Sequence, residues 1–207
     1  FDWSLSLALQ GRKSEAVEVM GRSLKLRTQL FGDDRLETLE VLDALTWEMS
    51  DLGRFDDAFP LIERAARARV KIYGPRHPMH TSGFFRMGLA YAKANRLDEA
   101  EKEMRKATAH AEATAQCDLY STLAYGNLAE VLIRRKNWSE ARRAAEKALE
   151  QKRVLWPKDH PRMMSTLTQL GQIAGAEGQF EKALALQIEA VEIGKKSYPE
   201  DPYRYAP

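Results

Sequence analysis

Five alanines divide the chain at an almost constant interval, and that interval constrains the fold more than any other feature. Ala16, Ala58, Ala100, Ala141 and Ala183 stand 42, 42, 41 and 42 residues apart. Each closes the same short phrase. It reads Gly11-Arg12-Lys13-Ser14-Glu15-Ala16, then Gly53-Arg54-Phe55-Asp56-Asp57-Ala58, Asn95-Arg96-Leu97-Asp98-Glu99-Ala100, Lys136-Asn137-Trp138-Ser139-Glu140-Ala141 and Gly178-Gln179-Phe180-Glu181-Lys182-Ala183. A fixed period of this size means a stacked array of like units, each unable to bury its apolar face alone, rather than one globular core. Arrays of this kind work by presenting a surface.

Each period holds two helical stretches. Leu39, Leu42, Leu45, Thr46 and Met49 recur at three and four residue steps, which places them on one helix face. Gly53 breaks that helix, and Phe55, Ala58, Phe59, Ile62, Ala65 and Ala66 form the face of a second. The same grammar returns through Phe84, Met87, Gly88 and Tyr91, then Tyr125, Leu128, Ala129 and Leu132, then Leu167, Leu170, Gly171 and Ala174. Gly88, Ala129 and Gly171 on the first helices, and the repeat alanines on the second, let paired helices approach closely. A leucine at Ala141 is expected to overpack at a cost of roughly 1–3 kcal/mol.

The linkers repeat as well. Phe31-Gly32-Asp33-Asp34-Arg35, Tyr73-Gly74-Pro75-Arg76-His77-Pro78, Trp156-Pro157-Lys158-Asp159-His160-Pro161 and Tyr198-Pro199-Glu200-Asp201-Pro202 each put an aromatic 15 residues after the repeat alanine. That aromatic is expected to tuck under the turn and set the angle between units. The stretch Ala113-Thr114-Ala115-Gln116-Cys117-Asp118 lacks the aromatic, the glycine and the proline, and its period is one residue short. A locally different superhelical angle is expected there, with Asp118 as N-cap. The resulting units are 1–31, 32–74, 75–115, 116–157 and 158–199 of a single array, with 200–207 the start of a further unit or a tail. The chain opens at Phe1 inside a unit, so it reads as a piece of a longer polypeptide.

Composition excludes several classes of function. A net charge of +2 gives no general reason to expect nucleic acid. No run of about 18 apolar residues is present, so no membrane span is expected. Cys117 is alone, so no intrachain disulfide forms, and a reducing, cytoplasmic setting is expected. His77 and His80 have a spacing that helical zinc sites use, but His77 belongs to the repeating linker and recurs as His160. No phosphate loop occurs, and no serine–histidine–acid set is suggested by spacing. Neither metal nor cofactor is expected, and the chain is not expected to be an enzyme.

These residues carry a family likeness. The chain resembles tetratricopeptide repeats of the 42-residue kinesin-light-chain type. Tyr73-Gly74-Pro75-Arg76-His77-Pro78 and Trp156-Pro157-Lys158-Asp159-His160-Pro161 are similar to that family's inter-repeat sequence, and Tyr125-Gly126-Asn127-Leu128-Ala129 with Trp138-Ser139-Glu140-Ala141-Arg142 to its helix pair. The resemblance implies an all-α, right-handed superhelical solenoid of about five helix-turn-helix repeats, with each first helix lining a concave groove.

Groove positions are then those on the first helices that avoid the partner helix. They are Asp43, Trp47 and Asp51; Phe85, Arg86, Leu89 and Lys93; Leu123, Asn127, Glu130 and Arg134; and Thr168, Gln169 and Gln172. Trp47, Phe85 and Leu89 are large apolar groups where a polar surface is expected, which marks a contact patch. Partial burial between helices is the other reading of Trp47. Asn127 and Gln169 are repeat equivalents, and an amide ladder can donate to and accept from an extended peptide backbone; solvated groove residues are the alternative. Arg86, Lys93 and Arg134 could attract an acidic segment, or could pair with Asp51 and Glu130. The expected function is a non-catalytic scaffold that binds a peptide segment or partner domain. A regulatory module of a larger signalling ATPase or kinase, and end-to-end self-association through the faces of Trp3, Leu7 and the Ala183 helix, are the alternatives.

Overall fold

The computed structural model describes residues 2–200. Ten helices run through them, with no strand among the described residues. They are α1 (Asp2–Leu9), α2 (Lys13–Phe31), α3 (Leu36–Asp51), α4 (Phe55–Tyr73), α5 (Met79–Lys93), α6 (Leu97–Ala113), α7 (Leu119–Arg134), α8 (Trp138–Leu155), α9 (Met163–Ala176) and α10 (Phe180–Ser197).

One turn recurs within every pair. Arg12, Arg54, Arg96, Asn137 and Gln179 each donate a backbone hydrogen bond of 2.9 Å to the carbonyl five residues back. That closure needs the preceding residue in the left-handed region. Gly11, Gly53 and Gly178 supply it at φ 79°, 73° and 77°, and Asn95 and Lys136 are held there at φ 60° and 59°. The phrase that repeats in the sequence is therefore the chemistry of this hairpin turn.

Behind the turns, the small residues bring the helices together. Ala16, Ala58, Ala100 and Ala141 are wholly buried. A Cβ on Gly88 would lie 3.0 Å from two side-chain atoms of Met104, so α5 and α6 approach as closely as glycine permits. The linkers add polar ties. The Thr38 hydroxyl donates to the Gly32 carbonyl at 2.8 Å, and the His80 imidazole meets the equivalent Gly74 carbonyl at 2.6 Å. Arg27 donates to the Glu37 carbonyl at 2.7 Å, and Lys152, at the equivalent position, to the Arg162 carbonyl at 2.7 Å. Tyr73 stacks on His77 at 4.6 Å and Trp156 on His160 at 5.7 Å, so in these two linkers the aromatic packs on the histidine that follows it. Phe31 has no such histidine and is half exposed.

Contacts divide the chain into two compact units, one up to Thr114 and one from Ala115. The division falls at the irregular linker. Ala115 is held at φ 48°, where two of the other linkers have Gly32 and Gly74. Asp118 is the expected N-cap: its carboxylate accepts from the Ser121 backbone N–H, and the Ser121 hydroxyl accepts from the Asp118 N–H, both at 2.9 Å. In the first unit α3 packs on α2, α4 and α5, and α5 packs on α6. In the second, α7 packs on α8 and α9, and α9 on α8 and α10. No helix of the described residues is long and apolar enough to cross a membrane.

Candidate functional site

In the first unit α3 and α5 lie side by side and form an open pocket lined by Thr46, Trp47, Ser50, Ile62, Arg86, Leu89, Ala90 and Lys93. Trp47, Arg86, Leu89 and Lys93 are four of the residues expected from the sequence. Thr46, Ser50, Ile62 and Ala90 complete the walls. The Thr46 hydroxyl donates to the Leu42 carbonyl at 2.8 Å and the Ser50 hydroxyl to the Thr46 carbonyl at 2.7 Å. Both hydroxyls are spent on their own helix, so the pocket is more apolar than its residue list suggests.

Trp47 is 41% exposed at the mouth. Lys93 Nζ lies 5.0 Å and the Arg86 guanidinium 6.0 Å from its ring centroid. Cation–π contacts at exposed sites contribute about 0.5–1 kcal/mol each, so the two cations also hold the indole in place.

The same cations are anchored by carboxylates on α3. Asp51 accepts from Lys93 of α5 and, at 2.6 Å, from Lys13 of α2. Burial pushes the Asp51 carboxyl up, but hydrogen bonds from Lys13 and Lys93 outweigh it and hold the pKa below the ordinary value. Lys13 is raised in turn, chiefly by the hydrogen bond to Asp51. Asp43 lies 3.8 Å from Arg86 and also accepts from buried Arg69 of α4. The sequence left open whether Arg86 and Lys93 would be free to attract acid or would pair internally, and the structure pairs both. Lys13 was missed as a contributor. Its signal was a charge where the other repeats place Phe55, Leu97, Trp138 and Phe180.

Phe85 corrects the sequence reading. It is 3% exposed, and together with Thr81 and Gly88 it lies on the buried stripe of α5. Its side chain is core and offers nothing to a ligand. The physical reason is the position of α5, covered by α3 and α4 on one side and by α6 on another, which leaves only a narrow solvent face.

In the second unit Leu123 and Asn127 are half-buried, and Glu130, Arg134 and Gln172 are exposed. The amide ladder is turned partly inward. Asn127 Nδ2 donates to the Leu123 carbonyl at 2.9 Å. Gln169 Nε2 donates to the Gly126 carbonyl at 3.1 Å and to Glu130 at 3.3 Å, while Gln169 Oε1 is buried without a hydrogen-bond partner. Both amide donors are committed within the unit. Elsewhere, His77 and His80 diverge to Tyr73 and Gly74, and no group of three metal-ligating side chains occurs among the described residues.

Comparison with known proteins matches this architecture. A tetratricopeptide repeat model matches residues 49–113 and 120–196, and a second one residues 4–36. A clustered mitochondria protein homolog of Meyerozyma guilliermondii is 30% identical over 148 residues, 70% of this chain. The chain spans only 12% of that relative's length. Among solved structures, a putative kinesin light chain of Podosopora anserina with nearly identical TPR-like repeats superposes with a TM-score of 0.76, at 18% identity, over 95% of this chain and 93% of that one. BtubC (BKLC) from P. vanneervenii gives 0.80, at 17% identity, over 89% and 74%. MamA from Desulfovibrio magneticus RS-1 gives 0.66, at 17% identity, over 94% and 93%. At these identities the structures speak to the fold alone.

Proposed function

The chain belongs to the tetratricopeptide repeat family, and from that premise we propose that it is a non-catalytic interaction scaffold that seats a segment of a partner protein on the α3–α5 face. The single observation that supports this most is the Trp47 pocket: a large indole kept partly in solvent over an apolar floor, with each flanking cation held by a carboxylate of α3. A folded protein gains nothing for its own stability by leaving such a group wet, whereas an interface anchor of this type contributes strongly to binding. The reading favours an apolar side chain of the partner in the pocket. An acidic flank would be a secondary contributor: Arg86 shares Asp43 with Arg69 and Lys93 shares Asp51 with Lys13, so the rim keeps a positive balance, but exposed pairs are worth only about 0–1 kcal/mol. In the second unit, the amide oxygen of half-buried Asn127 is left to accept from a partner's backbone N–H, whereas that of Gln169 is buried.

The test is titration calorimetry with an identified partner segment against the wild type and Trp47→Ala. The indole is half exposed, so its removal leaves the fold intact. Loss of affinity by at least about tenfold, 1.4 kcal/mol, is expected. Unchanged affinity would overturn the assignment of the pocket.

Self-association is a second reading, favoured by α10. Phe180, Leu184 and Ile188 stand four residues apart on one face of that helix and are 74%, 62% and 53% exposed. Sedimentation of the wild type beside Leu184→Glu decides it: a monomer at all concentrations in both removes this reading.

A further inference from the structure

Repeat register exposes a pair of residues that the array uses only once. The first turn of each first helix faces its partner helix through two positions thirty residues apart. In the second repeat they are Thr38 and Ala68, in the fourth Ser121 and Gln151, and in the fifth Met163 and Ile193. Ser121 donates to Gln151 at 2.9 Å, and Met163 and Ile193 are both buried. The third repeat has His80 and His110 instead, edge to face with ring centroids 5.7 Å apart.

His80 is 6% exposed. The Gly74 carbonyl 2.6 Å from its Nε2 can only accept, so that nitrogen carries the hydrogen. His110 Nδ1 lies 3.0 Å from the Thr81 hydroxyl, and its Nε2 is buried without a partner. A neutral His110 with its hydrogen on Nδ1 leaves only a lone pair unsatisfied. A protonated His110 would place an N–H in the same spot with nothing to accept it, beside a second imidazole.

The surroundings offer no relief. From α6, Lys106 sits 5.9 Å over the Phe84 ring and pairs with Glu103 at 2.6 Å. From α4, Arg69 lies against Gly83 and is held by Asp43. From the linker, His77 Nδ1 accepts the Met79 backbone N–H at 3.2 Å. Among the described residues no carboxylate bridges to either ring. Burial first, and then His80, lower the His110 pKa from 6.5.

We propose that His80 and His110 form an acid-sensitive latch at the base of the α5–α6 hairpin, closed while the His110 imidazole is neutral and loosened when it takes a proton beside His80. The sign follows from linkage. A histidine whose folded pKa lies below its unfolded value of 6.5 contributes stability that is complete above that pH and lost as pH falls through the folded value. The latch sits on α5, which also carries Arg86, Leu89 and Lys93, but it needs no ligand.

The fourth repeat supplies the test. His80→Ser with His110→Gln transplants its Ser–Gln pair into the third repeat. Between about pH 7.5 and about pH 5.8 the wild-type melting temperature is expected to fall by about 2–4 °C more than that of the double variant. An equal fall in both overturns the latch. A side-chain NMR titration of the wild type reads the same property without any substitution. His110 is expected to titrate below the ordinary imidazole value of 6.5; titration at that value, or above, overturns it.

Discussion

Arg69 and Asp43 form an ion pair in which the guanidinium is 1% exposed and the carboxylate 18%. Arg69 belongs to α4 and Asp43 to α3, and Arg86 of α5 approaches the same carboxylate at 3.8 Å, so one aspartate ties three helices together. Removing one member of a buried pair leaves an uncompensated charge. Asp43→Asn is therefore expected to destabilise the first unit by about 3 kcal/mol. Arg69→Met, which removes the charge and keeps much of the volume, is expected to cost clearly less. Urea unfolding of the two variants checks the ranking, and equal losses would refute the buried-charge account.

Lys136 holds a left-handed backbone at a turn where three other repeats have glycine. An L-residue there costs roughly 1–2 kcal/mol, and the greater freedom of glycine in the unfolded chain takes back part of the gain. Lys136→Gly is expected to stabilise by about 0.5–1 kcal/mol. Asn95→Gly should gain less, because asparagine tolerates this region. Melting curves that rank the two the other way would contradict the turn assignment.

Gly88 and Gly171 occupy the same repeat position but meet different neighbours. A Cβ on Gly88 would press on buried Met104 at 3.0 Å and on its backbone nitrogen at 3.2 Å. On Gly171 the nearest atom is the amide end of half-buried Gln187, at 2.8 Å, which can swing aside, and the Ala183 backbone carbonyl follows at 3.3 Å. Alanine gains about 1 kcal/mol of helix propensity at either site, against about 1–3 kcal/mol for overpacking. Gly88→Ala should therefore be net destabilising, by up to about 2 kcal/mol, and Gly171→Ala should cost less. Chemical denaturation of each variant tests the contrast.

Lys152 is a buried amine that donates to the Arg162 carbonyl at 2.7 Å and to the hydroxyls of Thr166 at 2.6 Å and Ser165 at 3.2 Å. Burial, and then the nearby Arg162 charge, lower its pKa from 10.5 to about 8. The unfolded chain binds the proton more tightly, so the folding penalty is present below about pH 8 and is relieved as pH rises toward 10.5. The stability of the wild type relative to Lys152→Met is thus expected to grow across that window, by at most about 3 kcal/mol. Urea unfolding at both ends of the window, with a difference that stays constant, would show the amine to be solvated.

The helix pairs were legible because their punctuation is chemical. A turn that needs positive φ favours glycine or asparagine, which mark four of the five turns with Lys136 at the fifth, and a close helix contact selects alanine, which marks every period. Trp47, Leu89, Arg86 and Lys93 were legible as neighbours because residues on successive first helices, about one period apart, come side by side. Phe85 was not legible. Its solvent exposure depends on how far α5 is covered by α3, α4 and α6, and no local pattern carries that. Nor was the pairing of Arg69 with Asp43, which depends on the rotation of two helices about their axes. The amides of Asn127 and Gln169 have the right chemistry for a peptide backbone, but a side-chain torsion decides whether they face it.

The amino-acid sequence by itself determined the all-α repeat, its period, its turns and its family, because each follows from backbone sterics and side-chain size acting over a few residues. Only the tertiary structure decided which charges are neutralised, which apolar groups stay wet and where two histidines meet. Those outcomes depend on distances of a few ångströms between side chains brought together from separate helices, and Coulomb and desolvation energies change steeply over that range.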